Sequence, residues 1–298
     1  MTARRPLTLT LLCAFLLVGC ADAPSGPGDR PTSAPDPTNQ PPTSSGGVVL
    51  QLSYEGGFVP AGFPLLDVPA FTLYGDGRVI TPGVQIAIYP PPALPAIVER
   101  TADEAAIAAI VERARDAGLG AEDLDLRDTG NVAVADAATA VFVLTIDGRT
   151  TTAEVYAMGV DGEPTTMPGL SHDQVELRRA LSSLAADLGD LTWVEDAGGS
   201  LGDESSYVGE AARLLVGPVR EDPELPQETF AWPIDLPLRT LGEPVEWDPE
   251  TRCAVLEGED WRAVHEAAGA ANQLTPWSDG RTERTIAFRP LLPDESGC

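Results

Sequence analysis

Phe71-Thr72-Leu73-Tyr74-Gly75-Asp76-Gly77-Arg78-Val79-Ile80 sets two short apolar runs on either side of a Gly-Asp-Gly turn. Aromatic and β-branched residues suit a pleated, half-buried surface, and Asp-Gly supplies the positive φ that a type I′ hairpin turn requires. The stretch therefore predicts a β-hairpin, and with it an antiparallel sheet. The same pattern returns downstream, where Phe142 to Thr145 and Thr150 to Tyr156 flank Asp147-Gly148-Arg149. After each hairpin comes a hydroxyl residue with Glu or Gln three positions later: Thr101 with Glu104, and Ser171 with Gln174. Such a capping box satisfies two free amides at the start of a helix. Apolar stripes at helical spacing follow, Ile107, Ile110, Val111 and Ala114 in the first and Leu177, Leu181, Leu184 and Leu188 in the second. Asp76 and Asp147 stand 71 residues apart, and Gly118 and Gly189 also stand 71 apart, so matched turn and helix signals recur at one period. Two tandem β-β-α units are expected over residues 48–195, in an α+β fold whose antiparallel sheet carries its helices on one face.

Residues 196–298 break this rhythm. A strand is expected from Ala212 to Val216, then a Pro-rich acidic stretch from Pro218 to Pro249 that carries Trp232 and Trp247. Cys253 to Leu256 predicts another strand. Trp261, Val264, Ala268 and Ala271 form an amphipathic stripe, and Thr285 to Phe288 follows the Asp279-Gly280 turn as a last strand. This β-α-β portion either completes the same sheet or forms a small second domain, so 48–298 is also readable as one continuous domain. Tyr89-Pro90-Pro91-Pro92 ends a strand pattern over Gln85–Ile88. Tyr89, Trp232 and Trp247 are the candidate interface residues. Anchoring of the two tryptophans against the sheet is the structural alternative.

The N-terminus decides address rather than fold. Arg4 and Arg5 precede an apolar run from Leu7 to Val18, too short for a hydrocarbon core that needs roughly 20 residues. Residues 1–19 therefore read as a signal peptide, and Leu17-Val18-Gly19-Cys20 closes it as a lipobox. Cleavage after Ala21-Asp22-Ala23, giving a secreted protein, is the alternative. Of the 27 residues from Ala21 to Gly47, seven are Pro, seven Ser or Thr and four Gly, a composition too poor in apolar surface to fold. Residues 20–47 are expected to be a disordered tether, spanning about 30 Å as a random coil.

The charge is one-sided, with 19 basic residues, all Arg, against 46 acidic ones and a net of −27. Such a chain is repelled by phosphate backbones and anionic lipid heads, which excludes nucleic acid and peripheral membrane docking as functions. Solubility, cations or basic partners suit it. With Cys13 in the leader and Cys20 taken by lipid, Cys253 and Cys298 remain as an even pair in an oxidising compartment. An intramolecular disulfide, two free thiols, or Cys298 bridging a dimer are the possibilities.

Catalytic signals are thin. Gly198-Gly199-Ser200-Leu201-Gly202 matches G-x-S-x-G, with His265 downstream, but an elbow needs a parallel-sheet strand feeding a helix, and the flanking pattern is hairpins. Ser171-His172-Asp173 is no triad, because adjacent side chains diverge. Two distant histidines leave zinc without ligands. Asp125, Gly130 and Asp136 fall at the first, sixth and twelfth places of a calcium loop, yet Arg127 occupies the third, where a cation opposes the ion. No enzyme, cofactor or metal site is expected.

Lipobox, Pro/Thr tether and acidic Arg-only body together resemble uncharacterised lipoproteins of high-GC Gram-positive bacteria. The stretches Phe71 to Val79, Ile86 to Pro95 and Arg289 to Cys298 carry the resemblance. It implies diacylglyceryl and palmitate-type acylation of Cys20, an address on the extracytoplasmic face of the cell membrane, and a paired C-terminal cysteine. The expected function is a lipid-anchored, non-catalytic protein that binds an envelope protein or small molecule. A scaffolding envelope protein is the runner-up, and a serine hydrolase using Ser200 a distant alternative.

Overall fold

The hairpin signals fall where strands form. The computed structural model describes residues 46–131, 134–158, 168–219 and 222–298. Cys20, the signal peptide and the tether up to residue 45 lie outside the described residues.

Strand β1 (Val48–Gly56) is the centre of the first sheet. On one side it pairs with the hairpin β2 (Phe71–Tyr74) and β3 (Arg78–Pro82), and β4 (Ile97–Thr101) follows. On the other side stands β6 (Ala138–Ile146) with β7 (Arg149–Tyr156). The short β5 (Leu124–Leu126) and β8 (Ser205–Ser206) close the edges, giving the order β5-β7-β6-β1-β2-β3-β4-β8. All pairs are antiparallel except β5 with β7.

The two turns differ. At Asp147-Gly148 both φ values are positive (53° and 76°), the type I′ geometry expected of Asp-Gly. The β2–β3 turn is one residue longer, and only Gly77 takes a positive φ (89°). A Cβ there would meet the Ala102 carbonyl oxygen at 2.5 Å, so close packing demands glycine as much as the turn does.

After the short α1 (Phe63–Leu66) between β1 and β2, helices α2 (Glu104–Asp116) and α3 (His172–Gly189) follow the hairpins as expected, with the short α4 (Trp193–Asp196) after them. The Ser171–Gln174 capping box forms in full. The first cap differs from expectation: Thr101 is the last residue of β4, and Asp103 caps α2 by accepting from the Ala106 amide at 2.7 Å. The helix begins at Glu104, so Thr101 stands two residues before the capping position. Ile110 and Ala114 of α2 and Leu181, Leu184 and Leu188 of α3 bury against Leu50, Leu73, Phe142 and Val155 of the sheet, so the helices share one face.

The C-terminal portion does not extend that sheet; it builds its own. Strands β9 (Ala211–Gly217), β10 (Phe230–Ala231), β11 (Glu243–Val245), β12 (Asp248–Glu257), β13 (Pro276–Ser278) and β14 (Glu283–Pro290) lie in the order β10-β13-β14-β9-β12-β11. Helix α5 (Gly258–Ala268) covers one face with Trp261, Val264 and Ala268. The stretch read as one long loop thus contributes two short strands, and Trp232 is buried. Trp232 stands edge-on to the fully buried Trp277, which also meets Phe230 and Phe288 at 5.7–5.8 Å between centroids. That packing removes Trp232 from the surface candidates.

Gln85–Ile88 forms no strand: β3 already has β2 and β4 as neighbours, and the segment between β3 and β4 has no free ladder to join. The two sheets belong to one compact unit. Tyr74, Ile80 and Ile97, on the face of the first sheet away from its helices, pack with Leu292 of the C-terminal tail.

Candidate binding rim

Antiparallel pairing sorts the loops of the first sheet to two ends. The chain enters β1 at Val48 beside the β2–β3 turn, where the Gly75 amide donates to the Gly47 carbonyl. The opposite end holds the segment 57–70 between β1 and β2 and the segment 83–96 between β3 and β4. That far end carries most of the large exposed hydrophobic residues among those described. Of ten large hydrophobic residues exposed among the described residues, eight are Tyr54, Phe58, Val59, Phe63, Val84, Ile86, Ile88 and Tyr89. Phe58 is 89% exposed, Val84 93% and Tyr89 73%. Isolated exposed hydrophobics are ordinary, but eight at one end of one sheet form a cluster. Trp247, also exposed, stands beside Gly62 at the edge of the same region. Tyr89 and Trp247 of the sequence candidates therefore lie at the surface, and Trp232 does not.

The segment 57–70 is held in place by two arginines. Arg213 of β9 and Arg289 of β14 are cross-strand partners on the face of the second sheet turned away from α5. Arg289 donates to the Asp67 carbonyl at 2.8 Å and forms a bidentate pair with Glu295, one arm at 2.7 Å. Arg213 donates to the carbonyls of Leu65 and Gly297, each at 2.8 Å. Burial, with Arg289 alongside, lowers the Arg213 pKa. Carbonyls of the segment and a carboxylate of the tail thus satisfy two nearly buried guanidinium groups. The tail is itself pinned: Tyr207 donates to the Leu291 carbonyl at 2.7 Å, Tyr74 to Asp294, and Cys298 is disulfide-bonded to Cys253 with Cα atoms 6.0 Å apart. The segment 83–96 is fastened at both ends, by the Gly83 amide to the Ala96 carbonyl and by Ala93 and Pro91 to residues 271 and 273.

A cleft of about 400 Å³ opens where β1 ends, lined by Tyr54, Glu55, Val59, Phe63, Asp67 and Arg289, among others. A larger cleft of about 1150 Å³ lies between the sheets, lined by charges of both signs including Arg78, Glu99, Glu210 and Arg262.

The remaining sequence candidates have local roles. A Cβ on Gly199 would meet the Ala106 Cα at 2.5 Å, and the Ser200 amide donates to the Asp103 cap, so the glycine motif packs a loop onto the start of α2. His265 lies on α5, edge-on to Trp261 at 5.2 Å, its pKa lowered by burial, and among the described residues no hydrogen bond links it to Ser200. Asp125 pairs with Arg127 at 2.7 Å, which holds its pKa at about 2, and Arg127 also reaches Glu154 at 3.1 Å. Among the described residues no helix is long and apolar enough to cross a membrane, and no group of three or more metal-ligating side chains is found.

The chain is thus an α+β protein of two antiparallel-dominated sheets, with an apolar rim at one end of the first. Comparison with protein-family models, curated proteins and solved structures returns no match.

Proposed function

We propose that this protein is an extracytoplasmic lipoprotein, anchored in the cell membrane through acylated Cys20, whose folded part binds a protein partner with its apolar rim. The concentration of exposed apolar side chains at the end of the first sheet opposite the chain's entry is the observation that carries the reading. The described chain enters the first sheet at Val48, at the end opposite the rim. An open rim of protruding side chains suits a protein surface better than a small ligand, which prefers a concave site.

Two measurements test it. Intact mass of the protein extracted from its native membrane is expected to begin at a diacylated Cys20, and Cys20→Ala to release the domain from the membrane. A photocrosslinker at Ile86 is expected to trap one protein that the same group at Glu104, exposed at the entry end, does not. Equal trapping at both positions, or none at Ile86, overturns the binding reading.

A further inference from the structure

Val84-Gln85-Ile86-Ala87-Ile88-Tyr89 is the part of the rim with the least support from its own chain, and all six residues are exposed. Both ends of the segment are fixed, one by the Gly83 amide on the Ala96 carbonyl, the other by residues 91 and 93 on residues 273 and 271. Between them, among the described residues, the one backbone hydrogen bond runs from the Ile88 amide to the Ile86 carbonyl at 2.9 Å. A row of free amides and carbonyls on a β-prone run is what a second strand pairs with. Six such residues without charge or proline pair readily with their own kind. Pro82 and Pro90 bracket the run and confine the pairing to it. Charge points the same way. From Val79 to Val98 the chain has 20 residues without a charged side chain, its longest such run, and the neighbouring rim stretch from Gly56 to Leu66 has none either. On a chain of net −27, these are surfaces that a second copy approaches without setting acid against acid.

We infer that this segment pairs antiparallel with the same segment of a second copy of the chain, across a two-fold axis at Ile86. The pattern is self-complementary in that register: Ile86 stands opposite Ile86, Val84 opposite Ile88 and Gln85 opposite Ala87. Side chains alternate along a strand, so Val84, Ile86 and Ile88 of both copies meet on one face, with Gln85 and Ala87 on the other. The bond from the Ile88 amide to the Ile86 carbonyl is exchanged for ladder bonds to the second copy. Such a two-fold pair uses the same patch on both copies. So short a ladder belongs with the weak, transient interfaces that bury less than about 1,200 Å². Copies held to one membrane through Cys20, as proposed above, meet at the raised local concentration such an interface needs. The inference rests on the proposal that the rim binds a protein, and names that protein as the chain itself.

The test uses the full chain in its native membrane, with single cysteines introduced at exposed positions and mild oxidation, and the unaltered chain as the blank. Cys253 and Cys298 are already bonded to each other, so the added thiol reports. Ile86→Cys is expected to give a disulfide-linked dimer, and Glu104→Cys, at the entry end, to stay monomeric. Val84→Cys and Ile88→Cys are expected to link when the two chains are co-expressed and not when either is alone. Cross-strand partners lie about 5 Å apart, within reach of a disulfide, and residues four positions out of register do not. Adding Ile88→Asp to Ile86→Cys sets an acid against Val84 twice and is expected to cut linking about tenfold. No linking at Ile86→Cys, or equal linking at Val84, Ile86 and Glu104, overturns the inference. The photocrosslinker at Ile86 separates the two readings. A trapped species of twice the chain's mass supports self-pairing. A species of another mass, with no linking at Ile86→Cys, sinks self-pairing and leaves the partner reading. Neither trapping nor linking sinks both.

Discussion

Arg289 shows how much one side chain carries here. Its guanidinium is almost fully buried and serves three groups at once: the Asp67 carbonyl, its neighbour Pro290 and the Glu295 carboxylate. Removing one member of a buried pair leaves a charge without compensation, so Glu295→Ala is expected to cost about 3–5 kcal/mol in denaturant unfolding. Two tyrosines nearby give a pH signature. Burial, with Asp294 accepting from the hydroxyl, raises the Tyr74 pKa, and burial pushes Tyr207 up to about 12 from an ordinary 10.0. Folding thus favours the protonated phenols. Their contribution is fully present below pH 10, the unfolded value, and is lost as pH rises through the folded values. Tyrosinate absorbance is expected to appear for these two residues only together with loss of near-ultraviolet circular dichroism. A titration of all five tyrosines between pH 9 and 10.5 in the folded protein would refute this. Gly199 belongs at the same scale: Gly199→Ala drives a methyl into the Ala106 backbone and is expected to destabilise by about 1–3 kcal/mol, whereas Ser200→Ala stays within about 0.5 kcal/mol by thermal unfolding.

At the scale of elements, the segment from Gly83 to Pro92 shows where pattern and topology part. Val84-Gln85-Ile86-Ala87-Ile88-Tyr89 alternates as a strand does, and its side chains would line one face of a sheet. Both flanks of β3 are occupied, so the alternation ends up on an exposed loop. Because these side chains bury little, Ile88→Asp is expected to change unfolding stability by no more than about 0.5 kcal/mol while abolishing trapping by the crosslinker at Ile86. A loss of several kcal/mol would show the loop to be structural instead.

For the whole molecule, the C-terminal tail links parts far apart in sequence. It contacts β2 through Tyr74, the segment 57–70 through Arg289, and β12 through Cys253. The disulfide spans 45 residues, for which loop entropy gives about 4 kcal/mol, and Cys298→Ser is expected to lower stability by roughly that amount or less. Because the arginine contacts persist, the first sheet is expected to keep its amide-exchange protection while residues 57–70 lose part of theirs.

Local chemistry was enough to establish several things in this chain: hairpins at Asp147-Gly148 and around Gly77, the Ser171 cap, the apolar stripes of α2, α3 and α5, an even cysteine pair, and a charge that repels anions. Each depends on residues within a few positions of one another, so the sequence alone exposes it. The second sheet, the inward turn of Trp232 and the gathering of Tyr54, Phe63 and Tyr89 at one rim depend on which strands pair and on what packs beside them. Those are contacts between residues tens to hundreds of positions apart, set by burial and register in three dimensions, and no local pattern encodes them.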